Sequence, residues 1–193
     1  MNSRKTNDEG FTGLEAAIVL IAFVVVAAVF SYVVLGAGFF TTQKAQETVY
    51  KGVEQSTANI QMIGSVYGLS TDYATPNGNI TQIKFSIGLA PGAPAIDLTK
   101  MKIVFSTSGS TPTTLIWGTT NSTTTFTTNL NGVYGYNNQS MSGNDQVEVD
   151  FKIPNDIVHP NTKMNFEIRP SVGAALPFSK TAPATITATN VLH

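Results

Sequence analysis

The feature that most constrains this sequence is a run of 28 residues, Ala16 to Gln43, without a single charged side chain. Most of the run is Ala, Val, Ile, Leu and Phe. A bilayer hydrocarbon core about 30 Å thick is spanned by roughly 20 apolar residues in a helix, so the run is long enough with residues to spare. It predicts a membrane-compatible helix, and hydropathy alone favours a plain single-span anchor.

The residues before the run do not fit an ordinary secretory signal. Such a signal has a short apolar region that is followed by a small-residue cleavage site. Here the apolar run is too long, and the one processing-like junction, Gly10–Phe11, precedes it. Cleavage at that junction removes a polar leader, residues 1–10, and leaves the apolar helix in the mature chain.

Beyond Phe40 the sequence becomes more polar but keeps a helical period. Apolar residues recur at spacings of three, four or seven, namely Ala45, Val49, Val53, Ile60, Ile63 and Tyr67. The pattern predicts one helix over residues 11–67, about 80 Å long at 1.5 Å per residue. Residues 68–193 are too few to bury a helix of this length, so its first half requires lipid or copies of itself. This mismatch indicates assembly.

The periodicity changes after a breaker-rich linker, residues 68–78. Apolar residues then alternate with polar ones in short runs that are separated by Pro, Gly and Asn. The expected strands cover residues 83–89, 101–105, 115–117, 123–128, 147–153, 164–168 and 184–190. They predict an immunoglobulin-like antiparallel β-sandwich over residues 79–193, and the fold class is α+β with the helix first.

Composition excludes several functions. The chain has no cysteine, which excludes disulfides and thiolate metal sites. Residues 103–144 contain no Asp, Glu, Lys, Arg or His, and no nucleotide-binding, zinc-protease or serine-hydrolase motif occurs. His159 and His193 are not at ligand spacing, and we expect a surface loop and a disordered tail there. We therefore predict no enzyme activity, no cofactor, no metal and, at a net charge of -1, no nucleic-acid partner.

A few remaining side chains are weak candidates for a site. Glu148 and Asp150 share one strand face near Asp145 and offer oxygen ligands to Ca²⁺ or Mg²⁺. A solvated strand face is the more ordinary interpretation. Asp97 is expected to be a loop acid without a partner. Trp117, the only tryptophan, is expected in the core or in a subunit contact.

Three glycosylation sequons follow the predicted helix, at Asn79, Asn121 and Asn138. All three lie where an exported domain would display them, near predicted strand ends or loops. We expect an N-linked glycan on at least one of them. The alternative is that the triplets are accidental, because Ser and Thr are abundant in this region.

The stretch GFTGLEAAIVLIAFVVVAAVFSYVVLGAGFFTTQKAQETVYKGVEQ, from Gly10 to Gln55, strongly resembles the amino terminus of archaeal flagellins. Their pre-proteins resemble type IV prepilins. The resemblance implies cleavage after Gly10 by a prepilin-type peptidase, with Phe11 as the first mature residue. Asp8 and Glu9 stand where many family members carry Lys or Arg. The resemblance also implies a surface filament for swimming, with a possible role in adhesion, rotated by a membrane motor with its own ATPase, whose subunits are membrane-inserted before assembly.

A single acid, Glu15, opens the apolar run. An unpaired carboxylate in an apolar environment is costly, although an acid near a helix amino terminus is favourable. In the cleaved chain Glu15 is the fifth residue, one helical turn from the new terminus. It either pairs with the Phe11 amine of a neighbouring subunit, as type IV pilins are thought to do with a matching Glu, or faces headgroups and water.

Two functions remain open from the sequence. The first is a structural filament subunit that assembles with itself and possibly with other archaeal flagellins (archaellins). The second is a membrane-anchored surface protein of the pilin or adhesin class, whose β domain binds a sugar or a protein.

Overall fold

The computed structural model describes residues 8–71, 78–130 and 139–193, with only the backbone described for residues 8–12. The chain divides into two compact units, Met1–Lys51 and Gly52–His193. The described part of the first unit, residues 8–51, is helical, and the second unit contains the last helical residues followed by a β domain.

Helix α1 extends from Asp8 to Thr57, which is 50 residues or about 75 Å. Two polar side chains near the end of its apolar stretch donate hydrogen bonds within the helix. The hydroxyl groups of Thr41 and Thr42 donate to the carbonyl oxygens of Ala37 and Gly38, one turn earlier, at 2.8 and 2.9 Å. These hydroxyls therefore tolerate apolar surroundings without an unpaired donor.

The described β domain is built of short strands and one 3₁₀ turn, Leu98–Lys100. The strands are β1 (Ile60–Leu69), β2 (Gln82–Leu89), β3 (Ile96–Asp97), β4 (Lys102–Thr107), β5 (Thr113–Trp117), β6 (Thr125–Leu130), β7 (Ser140–Met141), β8 (Gln146–Lys152), β9 (Lys163–Arg169), β10 (Leu176–Thr181) and β11 (Thr189–Leu192). One sheet has the order β10-β9-β4-β5-β6-β8-β2-β1-β11, and β3 pairs with β7. In the nine-stranded sheet, neighbouring strands are antiparallel except for β5 and β6, which are parallel.

The sheet curls until its two ends meet. The Thr181 amide at the end of β10 donates to the His193 carbonyl at 2.6 Å, and the His193 amide donates back at 3.2 Å. Phe85 of β2 reaches Phe178 of β10 across the interior, with ring centroids 5.6 Å apart. Phe166 stacks on Phe178 at 4.8 Å. The two halves of the sheet thus enclose one apolar core, as in a sandwich, while remaining hydrogen-bonded to each other.

The predicted fold class is confirmed, because a long apolar helix precedes an antiparallel-rich β domain. The strict alternation of Val147, Val149 and Phe151 places all three in the core at 0% exposure. Strand β10 was not predicted, because Pro177 interrupts the short run Leu176–Thr181 and proline usually counts against a strand.

The predicted end of the helix is wrong. The helix stops at Thr57 rather than residue 67, and Ile60–Leu69 is strand β1, so the expected linker begins inside a strand. Spacings of three and seven between Ile60, Ile63 and Tyr67 fit a helix, but here a β-bulge produces them. The pairing with β2 shifts register between Ile63 and Tyr67, where Gly64 has φ +75°. A bulge adds residues to one strand and breaks the period of two that identifies a strand.

Candidate assembly surface

Helix α1 presents an almost entirely apolar surface to its surroundings. Every side chain from residue 13 to residue 57 is exposed in the single chain. The largest apolar ones include Phe23 at 71%, Phe30 at 69% and Leu20 at 66% exposure. Burying each such side chain is worth about 1.5–3 kcal/mol. The segment Gly13–Thr57 is also long and apolar enough to cross a membrane.

One stretch of this surface forms a shallow groove where large and small side chains alternate. It is lined by Ala27, Phe30, Ser31, Val34, Leu35, Gly38, Phe39 and Thr42. Small residues at helical spacing let another backbone approach closely, and the neighbouring aromatic side chains supply contact area. The groove suits packing against another apolar helix better than binding a polar ligand.

After Glu15, the charged side chains of the helix all lie in its last part, from Lys44 to Glu54, which leads to the β domain. Lys44 and Lys51 both contact Glu47, each at 2.7 Å, in i,i+3 and i,i+4 pairs. All three side chains are largely exposed, so solvent screening keeps the contribution of each pair to helix stability small. The helix therefore changes from apolar to polar along its length, which matches an environment that changes from dry to wet.

The predicted processing and assembly residues all lie in α1. Gly10 and Phe11 belong to its first turns, and the side chain of Glu15 is exposed. In the part of the chain that the structure describes, no cationic group lies within salt-bridge distance of Glu15. The pairing of Glu15 with a neighbouring Phe11 amine stays a prediction.

The sequons differ in their surroundings. Asn121 is half-buried in the loop between β5 and β6, and Thr123 beside it is exposed. The residue between them, Ser122, fixes the loop, because its hydroxyl group accepts the amide of Thr125 at 3.1 Å. Asn79 is half-buried just before β2, and its Oδ1 atom is buried without a hydrogen-bond partner among the described residues. Asn138 lies outside the described residues.

The acidic group on β8 is partnered by protein groups rather than left open for a cation. Lys84 of β2 places its Nζ atom 3.4 Å from Glu148 Oε1 and 3.6 Å from Asp150 Oδ2. The Gln82 amide nitrogen lies 2.6 and 2.7 Å from the two Asp150 oxygens. Asp145 accepts hydrogen bonds from the amide and hydroxyl groups of Ser142 at 2.9 and 2.6 Å. Among the described residues, no group of three or more Asp, Glu or His side chains is placed to hold a metal ion.

Two expectations about single residues are wrong. Asp97 has partners, because Lys100 Nζ lies 2.8 Å away and Thr99 donates from its amide and hydroxyl groups. The hydrogen bond from Lys100, aided by those from Thr99, lowers the pKa of Asp97 to about 2. His193 is tied to Thr181 by backbone hydrogen bonds and is not a disordered tail.

Trp117 and His159 occupy the places that the sequence indicates. The Trp117 ring packs against the core, and its Nε1 donates to Thr128 Oγ1 at 3.0 Å. His159 lies in the loop between β8 and β9, where its Nε2 atom is 3.4 Å from Asp156 Oδ1. What the described arrangement offers chemically is a large apolar binding surface on a helix, followed by a β domain that has its own core.

Comparison with known proteins identifies the family. The model of archaeal-type flagellin matches residues 10–180. A probable flagellin 1 of Archaeoglobus fulgidus is 39% identical over 96% of both chains. The subunit structure of the archaeal flagellum of Methanospirillum hungatei strain JF1 superposes with a TM-score of 0.70 at 34% identity, covering 94% of this chain and 99% of that one.

A crystal structure of an archaeal flagellin from Methanocaldococcus jannaschii shares the fold at 13% identity, with a TM-score of 0.57 over 70% of this chain and 96% of that one. The family match spans both the apolar helix and most of the β domain. This chain is a member of the archaeal-type flagellin family.

Proposed function

We propose that this protein is the structural subunit of an archaeal flagellar filament and polymerises through helix α1. One observation carries the proposal: α1 exposes its apolar side chains along residues 13–57, and a domain with its own closed core follows it. A surface of this kind is not stable in water. Support also comes from the flagellum of Methanospirillum hungatei, which contains a subunit with this fold.

On assembly, the apolar side chains of α1 exchange contact with lipid for contact with neighbouring helices. Before assembly, α1 spans the membrane, where its apolar side chains contact lipid. In the filament, the same side chains pack against α1 of neighbouring copies, so they never face water. Contacts between two different surfaces of identical subunits repeat without closing and produce an open helical polymer. The β domains form the exterior on the cell surface, and the subunit contributes stiffness and surface rather than catalysis.

The amino terminus prepares the subunit for this exchange. A prepilin-type peptidase cleaves after Gly10, and Phe11 then carries the free amine of the mature chain. Glu15 lies one helical turn further on and pairs with the Phe11 amine of a neighbouring copy, which spares a carboxylate from being buried alone. The assembled filament is rotated by the membrane motor for swimming.

N-linked glycans complete the exterior, and the surroundings of the sequons favour Asn121. It lies in a surface loop whose shape is held by Ser122 and not by Asn121 itself. Asn79 is less suitable, because its side-chain oxygen is buried beside β2. A glycan at Asn121 adds hydrophilic surface to a region, residues 103–144, that has no charge of its own.

The proposal is tested on material sheared from cells that produce the chain. We expect long fibres by electron microscopy and an amino-terminal sequence that starts at Phe11. A Gly10→Val variant should retain the leader, remain with the membranes and form no fibres, whereas Gly13→Ala, an exposed change nearby, should assemble normally. If the wild-type chain keeps residue 1 or 2 at its terminus and stays in membranes as a monomer, it is an anchored surface protein and the filament proposal is wrong.

A further inference from the structure

The part of α1 that follows the apolar run has two opposite faces. Lys44, Glu47 and Lys51 recur at spacings of three and four residues, so they form one charged stripe along the helix. Ala45 and Val49 each lie two residues from Glu47, which places them roughly 160° around the helix axis from it. Residues 44–51 therefore carry charge on one face and apolar side chains on the other.

The charged stripe satisfies its own charges. The two carboxylate oxygens of Glu47 lie 2.7 Å from the Nζ atoms of Lys44 and Lys51. All three side chains are largely exposed to water. Covering them with an apolar surface would remove that water from three charged groups, which is costly. The charged stripe is therefore unsuited to an apolar contact.

The opposite face is suited to one. It consists of Thr42, Ala45 and Val49, and we call it the 45/49 face. Val49 is 63% exposed. The hydroxyl groups of Thr42 and of the adjoining Thr48 each donate to a backbone carbonyl one helical turn earlier, at 2.9 Å. Because these donors are satisfied within the helix, the 45/49 face can lose its contact with water without leaving them unpaired.

The 45/49 face continues the groove on α1 towards the β domain. Ala45 and Val49 follow Gly38 and Thr42 of the groove by seven residues each. Seven residues are nearly two complete turns, and the direction drifts by only about 20° over that distance. The groove and the 45/49 face thus lie on the same side of the helix, and Thr42 belongs to both.

Among the described residues, one surface is large and apolar enough to cover this face. Every large apolar side chain from Ile18 to Phe40 is more than half exposed, on all sides of the helix. The described β domain, by contrast, exposes four large apolar side chains at 52% or less: Ile63, Tyr67, Ile116 and Val191. A helix cannot fold back onto itself, so the partner that this chemistry selects is α1 of a second copy.

We propose that the 45/49 face of one copy packs against residues 16–40 of α1 in a second copy that is displaced along the helix axis. The inference rests on the proposed filament, in which an open polymer joins two different surfaces of identical subunits. A neighbour at the same level would present another face of its residues 44–51, and those faces carry or border the charged stripe. A displaced neighbour presents residues 16–40, which are apolar on every side, and no charge is covered.

The lengths in the helix set a lower limit for this displacement. Val49 lies nine residues beyond Phe40. At 1.5 Å per residue, parallel copies must therefore be displaced by at least ~13 Å for Val49 to contact the other copy's residues 16–40. The displacement also makes the contact directional, because the polar part of one helix meets the apolar part of the next.

Photo-cross-linking in assembled fibres tests this pairing. A benzophenone amino acid replaces Val49 in a minor fraction of the copies, and the wild-type copies that carry the assembly are labelled with heavy isotopes. Trypsin separates the two regions, because no Lys or Arg lies between residue 11 and Lys44, and the next cleavage follows Lys51. We expect the light peptide 45–51 to be joined to the heavy peptide that ends at Lys44. In the matched control the benzophenone replaces Glu47, in the same peptide but on the charged stripe, and this product should be absent.

The outcomes separate this inference from the proposed function. If fibres form and position 49 is joined to the heavy peptide 45–51, the copies lie at the same level and the inference is wrong. A product with a β-domain peptide, or no product at all, contradicts it as well. Equal yields of the expected product from positions 47 and 49 would show that the two faces are not distinguished in the fibre. If the wild-type chain forms no fibres, the filament proposal fails and this inference fails with it.

Discussion

Helix α1 and the β domain solve the problem of apolar surface in opposite ways. The β domain encloses its apolar side chains in one core, where the rings of Phe105, Phe151 and Phe166 are within about 6.4 Å of each other and at most 4% exposed. The helix has comparable apolar content but exposes it, with Phe23 and Phe30 near 70%. The β domain buries its apolar side chains within a single chain, whereas α1 buries its apolar side chains only against other copies or in lipid.

This difference separates the free energy of unfolding of the β domain from the free energy of assembly through α1. Substitutions in the β domain should change its own free energy of unfolding, because its contacts are intramolecular. Substitutions in α1 should change assembly and leave the unfolding of the β domain untouched, because no described side chain from residue 13 to residue 57 is buried in the single chain. Variants in each region should therefore change assembly or unfolding, but not both.

The largest expected effect is loss of assembly by Val25→Asp. Val25 is 55% exposed in the single chain, so the helix tolerates the change, but in the filament the carboxylate enters an apolar contact without a partner. We expect no fibres by electron microscopy and no pelletable polymer. The matched control Val25→Leu should assemble, and both variants should show the wild-type melting curve for the β domain. A lowered melting temperature of the Val25→Asp β domain would contradict the separation.

The next effect is confined to the β domain. Phe166→Ala removes a ring that contacts Phe105, Phe151 and Phe178 and that is 2% exposed. Cavity formation at such a site costs about 3–5 kcal/mol of unfolding free energy. Urea denaturation of the Val25→Asp protein, kept monomeric in a mild detergent that covers α1, with and without the change, measures this cost. Phe178→Leu, at a partly buried position, should cost clearly less, and equal costs would show that the two positions are not distinguished by burial.

Alternation of apolar and polar residues predicts a strand correctly where the strand has no bulge. The alternation of Met164, Phe166 and Ile168 predicts β9 directly, because each inward residue is apolar and each outward one is not. The same reasoning fails at β1, where the bulge at Gly64 restores a helix-like spacing and extends the predicted helix by ten residues, from Thr57 to residue 67. Local periodicity does not report which strand will pair with the segment, and that pairing decides its structure.

In the candidate site, the apolar helix could be predicted from the sequence, but the partners of the acidic side chains could not. The apolar run and its position were evident from composition, because they depend on residue type alone. The partners of Asp97 and Asp150 were not: Lys100 is close in sequence but needs the 3₁₀ turn, and Lys84 is placed opposite Asp150 only by the register of β2 with β8. Pairs that depend on register cannot be read from one sequence.

A smaller effect is expected where the end of the helix meets the β domain. Gly173 has φ +101°, and an added Cβ would lie 1.8 Å from the carbonyl oxygen of Ala58. Gly173→Ala should therefore destabilise the domain by about 1–3 kcal/mol, from both backbone strain and the clash. Gly92→Ala is the control, because φ is +82° there but no atom lies within 4 Å. Equal losses for the two variants would mean that strain alone is responsible and that the contact with Ala58 adds nothing.

The smallest effect concerns the ion pair between Asp97 and Lys100 at the surface of the β domain. Because Lys100 and Thr99 lower the pKa of Asp97 from 3.8 to about 2, its contribution to stability is full above pH 3.8 and is lost as the pH falls towards 2. Both side chains are at the surface, so solvent screening keeps that contribution small. Carboxyl chemical shifts measured by NMR on the detergent-solubilised Val25→Asp protein should show the low pKa of Asp97. Lys100→Gln should raise it towards 3.8, although not fully, because Thr99 still donates, while Lys102→Gln, which removes a lysine two residues away on β4, should leave it unchanged. An unchanged pKa in Lys100→Gln would show that the ion pair does not form in solution and that the turn alone lowers the pKa.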